Sequence, residues 1–240
     1  MDLQGLTAVI TGGGTGIGKG LALALAQAGV KVVICGRRVE PLQETVHEIE
    51  ANGGEALWLQ ADVSLVVDVG RVVETAVAHY QTIHILVNNA AISDDGYLHE
   101  LSPEAWDEIM AVNLRGPFLT ARAVLPLMRQ QQQGHIINIS SESGLEYYGQ
   151  SGAYGVTKHA LNALGEHFQV ENQALGIRVD TICPGMVWTP MAENEPGLNR
   201  DKCLYPEDIA DVALWLLTRR PNIKIGRPIL IQTMANPWEL

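Results

Sequence analysis

A glycine-rich turn between an apolar run and a helical pattern constrains the fold of this chain more than any other feature. The run Leu6–Ile10 gives way to Thr11-Gly12-Gly13-Gly14-Thr15-Gly16-Ile17-Gly18, and a helical pattern then extends over Lys19–Ala28. A strand, a glycine-rich turn and a helix in this order present backbone N–H groups and a helix N-terminus to a pyrophosphate. An ordinary glycine-rich turn is the alternative, and the flanking strand and helix disfavour it.

The spacing of these glycines is Gly12-x3-Gly16-x-Gly18. It differs from the Gly-x-Gly-x-x-Gly spacing of the standard dinucleotide-binding fingerprint. Glycine is needed in such a turn because a Cβ atom would hold the phosphates away from the backbone. The segment therefore predicts a dinucleotide site with its own variant of the glycine spacing.

Strand-like and helical patterns alternate along the chain. The further strand-like runs cover residues 30–35, 55–60, 83–87, 135–139, 177–182 and 228–232, and the further helical patterns cover 41–51, 66–80, 103–128, 152–175 and 206–218. This alternation predicts βα units with right-handed crossovers. We expect a doubly wound, Rossmann-type three-layer α/β sandwich with a seven-stranded parallel sheet. The 240 residues fit one domain over 1–240, with a mobile substrate lid at about 186–206.

The composition excludes several classes of protein. The formal net charge of −11 argues against nucleic acid or an anionic membrane as a partner, because both attract clustered Lys and Arg. No run approaches the roughly 18 apolar residues of a membrane span, and Met1–Gly5 does not resemble a signal peptide. The distant cysteines Cys35, Cys183 and Cys203 and the scattered histidines predict no disulfide framework and no metal site. A reducing, cytoplasmic setting is the simplest expectation.

The end of the second strand bears on the choice of dinucleotide. In the NAD form of this fold, an acidic residue near that position binds the ribose hydroxyls. Here Gly36-Arg37-Arg38 stands in its place, and the first acid, Glu40, comes two residues late. A guanidinium suits a 2′-phosphate, which an acid would repel, so the sequence favours NADP over NAD. The alternative is that both arginines are simply solvated at the start of a loop. This alternative is stronger for Arg38 than for Arg37.

Polar side chains follow the next two strands. Asp62, beside Val63, could reach an adenine amino group or cap the following helix, and capping is the first expectation. Asn88 and Asn89 end the fourth strand, where their side-chain amides could tie neighbouring strands together. Asn113 lies inside a helical pattern close to Gly116-Pro117, which predicts a kink and an amide that binds water or a carbonyl.

A tyrosine and a lysine share one face of the helix that begins near Ser151. Tyr154 and Lys158 are four residues apart, which is about one helical turn. An ammonium beside a phenol favours the phenolate, so we expect Lys158 to lower the pKa of Tyr154. Ser141, at the end of the fifth strand, could aim its hydroxyl at the same point.

Taken together, these motifs resemble those of single-domain short-chain dehydrogenases/reductases, from about Leu3 to Gln232. The matching segments are Thr11-Gly12-x3-Gly16-Ile17-Gly18, Asp62-Val63, Asn88-Asn89-Ala90, Asn113, Ser141, Tyr154-x3-Lys158 and Pro184-Gly185-x-Val187-x-Thr189. Each segment is weak alone, and their order and spacing together are specific. The sequence departs from the family pattern at Ala91, where glycine is usual, and after Gln232, where Asp-Gly-Gly is common in the acyl-carrier-protein ketoreductase group.

The resemblance implies a catalytic role for four residues. Tyr154 would be the general acid or base, and Lys158 would hold the nicotinamide ribose and tune Tyr154. Ser141 would hydrogen-bond the substrate oxygen, and Asn113 would support a water that links Lys158 to solvent.

The resemblance also implies a cofactor site, a substrate and an assembly. The cofactor, NADP(H), would contact Gly12, Gly14, Thr15, Gly16, Ile17, Gly18, Arg37, Arg38, Asp62, Val63, Asn89, Ala90, Tyr154, Lys158, Pro184, Gly185, Val187 and Thr189. The substrate would be a small carbonyl or alcohol in a pocket lined by 92–97, 142–148, Gln150, Met186, Trp188 and the lid. Its aromatic side chains suit an apolar or aromatic ketone, and the sequence leaves open whether Glu142 and Glu146 face it. The assembly would be a homotetramer or dimer, formed through the helices that begin near Ser102 and Ser151.

Other functions remain open from the sequence. One is a catalytically silent, dinucleotide-sensing protein on the same fold, and another is an NAD-preferring dehydrogenase of a hydroxy acid or sugar. An epimerase or dehydratase of the extended branch would need a larger C-terminal substrate region.

Overall fold

Seven apolar runs form one parallel sheet in the computed structural model, which describes residues 2–93, 96–193 and 195–239. The runs are rich in Val and Ile, whose branched side chains pack well on a pleated surface. The strands are β1 Thr7–Thr11, β2 Lys31–Gly36, β3 Ala56–Gln60, β4 Ile85–Asn88, β5 Gly134–Ile139, β6 Ile177–Pro184 and β7 Ile229–Ile231.

Among the described residues, seven α-helices connect the strands and cover both faces of the sheet. They are α1 Gly16–Gln27, α2 Val39–Ala51, α3 Val66–Tyr80, α4 Pro103–Met110, α5 Gly116–Gln131, α6 Gly152–Asn172 and α7 Pro206–Thr218. Local chemistry sets some of their ends. The hydroxyl of Ser102 accepts a hydrogen bond from Ala105 N at 3.1 Å and starts α4. Gly176, at φ 72°, ends the 3₁₀ turn that follows α6. Within the described part of the chain, no helix is both long and apolar enough to cross a bilayer.

The strand order is β3-β2-β1-β4-β5-β6-β7, and every pair is parallel. The direction of winding therefore reverses between β1 and β4, where the connections leave the sheet toward opposite sides. Open α/β sheets bind ligands at the carboxyl ends of the strands beside such a reversal. The expected doubly wound, three-layer α/β sandwich with seven parallel strands is confirmed.

The two faces of the sheet carry separate hydrophobic clusters. Ile10 of β1 is fully buried in the cluster under α1, α2 and α7, and its neighbour Val9 is buried in the cluster under α3 and α5. Successive side chains of a strand point to opposite faces, so one continuous apolar run supplies both layers. Fully burying each such side chain stabilises the fold by roughly 1.5–3 kcal/mol.

The helix expected over residues 103–128 is divided in the structure. A π-helical turn, Ala111–Arg115, separates α4 from α5 and contains Asn113. The predicted distortion is therefore present. It takes the form of a wider, π-helical turn directly before Gly116-Pro117. Such π-helical insertions are frequent at functional sites.

The segment predicted as a lid is joined at its base. Trp188 N donates to Leu204 O at 2.8 Å, and Leu204 N donates to Met186 O at 2.9 Å. A short 3₁₀ turn, Arg200–Lys202, precedes Leu204, which forms an isolated bridge with Val187. Asn194, which falls within the predicted lid, lies outside the described residues.

A buried polar cluster lies toward the amino ends of β5 and β6. His135 Nδ1 accepts from the Arg178 guanidinium at 2.9 Å, and His135 Nε2 donates to Asp180 Oδ2 at 2.7 Å. Arg178 also donates to Leu216 O at the end of α7. The neutral imidazole thus bridges a cation and an anion, and all three side chains are buried with hydrogen-bond partners.

This cluster predicts a loss of stability in mild acid. Burial lowers the pKa of His135 from its ordinary 6.5, and Arg178 adds to this while Asp180 opposes it. Because the folded-state pKa is depressed, the stabilisation is complete above pH 6.5 and is lost as the pH falls toward the folded-state pKa. Urea unfolding on both sides of pH 6.5 should show a steeper loss for the wild type than for His135→Gln. The difference should be at most about 1.4 kcal/mol per pH unit.

The control is His47→Gln, which removes an exposed histidine of α2. It should keep the wild-type pH dependence. Equal slopes for the wild type and His135→Gln would contradict the role given to His135.

Candidate active site

One cleft of about 580 Å³ lies at the carboxyl edge of the sheet, across the reversal between β1 and β4. Fourteen residues predicted to bind the cofactor line it. They are Gly12, Gly14, Thr15, Gly16, Ile17, Arg37, Arg38, Asp62, Val63, Asn89, Ala90, Tyr154, Lys158 and Thr189. Sequence reasoning did not single out several of the other lining residues. These include Gly36, Pro41, Leu42, Ala61, Val112, Ile139, Ser140 and Pro190.

The turn between β1 and α1 can close only with glycine. A Cβ atom on Gly18 would overlap Gly12 O and would lie 2.5 Å from the Asn89 side-chain nitrogen. Gly12 and Gly16 adopt φ of 67° and 53°, which L side chains rarely adopt. A Cβ on Gly16 would meet Thr189 at 3.1 Å. The turn therefore presents bare backbone beside the N-terminus of α1, as a dinucleotide pyrophosphate requires.

The two asparagines at the end of β4 tie this turn to the sheet. Asn89 Nδ2 donates to Thr11 O at 2.9 Å and to Gly12 O at 3.2 Å. Asn88 Nδ2 donates to Asn138 Oδ1 of β5 at 2.9 Å. The expectation that these side chains connect neighbouring strands is confirmed.

Asp62 does not cap helix α3, so the first expectation for it was wrong. Its Oδ1 accepts from Ser64 N at 2.8 Å and from Ser64 Oγ at 2.7 Å. The residue that precedes α3 is Leu65, three positions later, and no side chain caps that helix. A carboxylate that bonds two residues ahead folds the loop locally and keeps Asp62 at the wall of the cleft.

Both arginines after β2 line the cleft at its outer end. Arg37 forms an exposed ion pair with Glu108 at 3.2 Å, and Arg38 donates to Thr15 Oγ1 at 3.3 Å. An exposed pair of this kind contributes about 0–1 kcal/mol, so the Arg37 guanidinium can exchange Glu108 for another anion at little cost. Arg38 therefore has a hydrogen-bond partner in the glycine-rich turn and is not a purely solvated side chain.

Asn113 holds a residue of the cleft wall, Ile92, through its side-chain amide. Its Oδ1 accepts from Ile92 N at 2.9 Å, and its Nδ2 donates to Ile92 O at 2.8 Å and to Thr157 Oγ1 at 3.2 Å. The side chain is buried and does not line the cleft among the described residues. The prediction that its amide binds a carbonyl is confirmed, and the contact holds Ile92 at the cleft.

Helix α6 brings Tyr154 and Lys158 to the inner end of the cleft. Lys158 Nζ lies over the Tyr154 ring, 5.2 Å from its centroid, and donates to Ile139 O at 2.9 Å. Ser141, at the end of β5, is hydrogen-bonded to the Tyr154 side chain. The predicted convergence of the three side chains is present in the structure.

The expected effect of Lys158 on Tyr154 is wrong for this structure. Burial raises the pKa of Tyr154 to about 12; the hydrogen bond from Ser141 opposes the shift, and Cys183 and Glu142 add to it. Burial also lowers the pKa of Lys158 to about 8, against the influence of Cys183. Loss of hydration is the main cause of both shifts, and the Lys158 ammonium is directed at the Ile139 carbonyl and the face of the Tyr154 ring.

Cys183 is a neighbour of this site that the sequence did not reveal. It is buried at the end of β6, and burial raises the pKa of its thiol against the influence of its hydrogen bonds with Ser140, Ser141 and Asn162. A cysteine inside an apolar strand gives no sequence signal of this position. Its contacts bring the end of β6 beside Ser140 and Ser141 after β5 and beside Asn162 of α6.

Four residues predicted to bind the cofactor do not line the cleft, namely Gly18 in the glycine-rich turn and three residues at or after the end of β6. Gly185 N donates to Ile231 O at 2.7 Å, which joins the end of β6 to β7. Val187 is buried and forms an isolated bridge with Leu204. Pro184 is the last residue of β6 and pairs with Ile231. Thr189, at the end of the same segment, does reach the cleft.

The predicted substrate pocket is found in part. Ile92, Ser93 and Met191 line the cleft, whereas Tyr147 is 87% exposed and stacks on His159 with ring centroids 5.0 Å apart. Asp94 and Asp95, which the prediction included, lie outside the described residues.

Comparison with known proteins agrees with this geometry. The family model described as short chain dehydrogenase matches residues 6–197. An uncharacterized oxidoreductase of Staphylococcus saprophyticus is 36% identical over 227 residues, which cover 94% of this chain and 97% of that protein. An uncharacterized oxidoreductase of Thermotoga maritima is 40% identical over 185 residues, or 77% of this chain and 73% of that protein.

Solved structures with the same architecture include a metagenomic short-chain oxidoreductase in complex with NADP. It is 33% identical, with a TM-score of 0.85 over 98% of this chain and 100% of that chain. An actinorhodin polyketide ketoreductase with NADPH is 26% identical, with a TM-score of 0.90 over 95% of this chain and 96% of the other. Levodione reductase has the same identity and coverage and a TM-score of 0.89.

The close contact at Gly18 predicts a cost for any side chain there. Gly18→Ala should lower the free energy of unfolding by roughly 1–3 kcal/mol, because the new methyl group displaces the β1–α1 turn from Asn89. Gly70→Ala is the matched control, since it lies in helix α3 with nothing within 4 Å of its Cβ position. That control should stabilise by up to about 1 kcal/mol. Urea unfolding measures both, and equal stability of the two variants would contradict the packing described.

Proposed function

The chain belongs to the short-chain dehydrogenase family, and on that premise we propose that it is an NADP(H)-dependent oxidoreductase that interconverts a ketone and a secondary alcohol. In this proposal Tyr154 is the general acid or base. One observation carries it: Tyr154, hydrogen-bonded to Ser141 and next to Lys158, lies in the same cleft as the glycine-rich turn.

The residues of the cleft fit a dinucleotide. Bare backbone at Gly12–Gly18 is available for the phosphates, and the turn tolerates no Cβ at Gly18. Asp62 lies at the wall where an adenine would be held, and Thr189 lies at the inner side of the turn. Bound in this cleft, the nicotinamide would supply or accept a hydride.

Two guanidinium groups at the outer end support a preference for NADP. Arg37 and Arg38 both line the cleft, and no acidic residue lies between the end of β2 and the start of α2. Arg37 holds only a weak exposed partner, so a 2′-phosphate can take its place with two parallel hydrogen bonds. The NADP and NADPH of two structural neighbours agree with this choice.

The side chains at the inner end supply a proton and a place for the substrate oxygen. With a pKa of about 12, Tyr154 holds the proton on its phenol oxygen at neutral pH and is ready to donate it to a ketone oxygen. Ser141 converges on the same point and would hydrogen-bond that oxygen as its charge develops. Once the proton has left, the Lys158 ammonium, 5.2 Å from the centre of the ring, would attract the phenolate, although burial still keeps the pKa of the phenol raised. The water-mediated link from Lys158 through Asn113 stays a prediction.

The remaining expectations also enter the proposal. The segment 186–206 would cover the substrate, since Thr189, Pro190 and Met191 already line the cleft. A homotetramer or dimer is supported by exposed apolar side chains on α5 and α6, namely Phe118, Val156 and Val170. The cytoplasmic location stays a prediction.

Replacing the acid–base group separates this proposal from a dinucleotide-sensing protein. Tyr154→Phe should lower kcat for ketone reduction by at least about 100-fold, because the phenylalanine cannot donate a proton. NADPH binding, followed by its fluorescence, should persist. Tyr80→Phe, at the end of α3 and away from the cleft, is the control and should keep wild-type turnover. Normal turnover by Tyr154→Phe, or no turnover by the wild type across ketones and alcohols, would refute the proposal.

Reversing one charge tests the cofactor preference. Arg37→Asp should lower the ratio of kcat/KM with NADPH to kcat/KM with NADH by at least about tenfold, because an acid repels the 2′-phosphate and accepts ribose hydroxyls. Arg220→Asp, an exposed arginine outside the cleft, is the matched control and should leave the ratio unchanged. An unchanged ratio in Arg37→Asp would refute the role of Arg37.

A further inference from the structure

A carboxylate stands next to the predicted substrate-binding hydroxyl. Glu142 follows Ser141 directly and opens the 3₁₀ turn Glu142–Gly144. Its Oε2 accepts a hydrogen bond from Gln232 Nε2 at 2.5 Å. The contact joins the loop after β5 to the residue after β7, so the carboxylate is turned toward the carboxyl edge of the sheet.

The end of β6 leaves room for this carboxylate. A Cβ atom on Gly185 would lie 3.1 Å from Glu142 Oε2 and 3.1 Å from Gln232 Cγ, which is tighter than ordinary contact. Glycine at this position therefore lets the carboxylate settle over the backbone. Its side chain is half-buried, and its negative charge reaches the reacting group, because Glu142 contributes to the raised pKa of Tyr154.

No cation of the described chain neutralises Glu142. None of the ion pairs among residues 2–93, 96–193 and 195–239 includes it, and Gln232 offers only a neutral amide. The buried Lys158 is bonded to the Ile139 carbonyl, and Arg200 lies over the rings of Trp188 and Tyr205. A half-buried, unpaired charge acts on its neighbours more strongly than a solvated one.

Glu146, on the same loop, has a different environment. It is exposed to solvent, whereas Glu142 is half-buried, and neither acid is among the described residues that line the cleft. Water and salt screen a charge in that position. The sequence left the orientation of the two acids open, and the structure turns Glu142 toward Gly185 and Gln232 while it leaves Glu146 in solvent.

We infer that Glu142 selects substrates by their charge. The enzyme prefers a ketone that carries a cationic, ammonium-type group, and it discriminates against a ketone that carries a carboxylate. This inference rests on the proposed function, because it concerns the substrate that would lie between Ser141 and Tyr154. Glu142 is a specificity-determining residue in this assignment, and it takes no proton in the reaction.

Three ketones test the inference in the full-length enzyme with NADPH. They share one methyl ketone and one straight linker, and they end in a methyl, a trimethylammonium or a carboxylate group. For the wild type, kcat/KM should rank ammonium above methyl above carboxylate. Glu142→Gln should lower kcat/KM for the ammonium ketone about tenfold and raise it for the carboxylate ketone about tenfold, with the neutral ketone changed less than about threefold.

Glu142→Gln keeps the size of the side chain and an oxygen that accepts from Gln232, so the loop should keep its structure. Glu146→Gln removes the same charge from the exposed side of the loop and should change the ranking by less than about twofold. Where a probe is not turned over, its inhibition constant against an accepted ketone replaces kcat/KM.

The outcomes separate the two claims. Reduction of ketones with an equal effect of Glu142→Gln on all three probes would overturn the inference and leave the proposed function standing. An effect of Glu146→Gln as large as that of Glu142→Gln would also overturn it, because the selection would then come from the general surface charge. Failure of the wild type with every ketone and alcohol would remove the proposed function itself.

Discussion

The close approach of the β1–α1 turn to the end of β4 is the contact on which the rest of the site depends. Asn89 donates to the carbonyls of Thr11 and Gly12, and Gly18 faces the same carbonyl and amide with no space for a Cβ. The contact lies where the direction of winding reverses, so it sets the width of the cleft at the point where a dinucleotide would cross the sheet. Arg37 and Arg38 line the outer end of the cleft, and Tyr154 lines its inner end.

Burial is the second physical factor that shapes the site. It is the main cause of the raised pKa of the Tyr154 phenol and of the lowered pKa of the Lys158 ammonium. Glu142 acts in the same direction on Tyr154, and the half-buried position of its carboxylate makes the charge felt there. Burial therefore keeps the proton on Tyr154, and it is also the basis of the proposed selection of substrates by charge.

Sequence reasoning predicted the parts of the structure that depend on local patterns. The alternation of apolar runs and helical patterns specified the parallel sheet, and the end of each strand located the polar residues at one edge. It failed at Asp62, whose carboxylate folds its own loop instead of capping α3. It also failed for the pKa of Tyr154, because neither the burial of Tyr154 nor the direction of the Lys158 ammonium can be deduced from a spacing of four residues.

The sequence by itself determined the fold class, the glycine-rich turn and the shared helix face of Tyr154 and Lys158, because each follows from short-range periodicity or backbone freedom. The tertiary structure alone decided which charged side chains are buried near the site and which are exposed to solvent. It turned Glu142 toward Gly185 and Gln232 while leaving Glu146 in solvent, although both acids lie on one short loop. It also brought Cys183 of β6 beside residues of β5 and α6. The physical reason is that burial and the strength of an electrostatic interaction depend on packing between segments far apart in the chain.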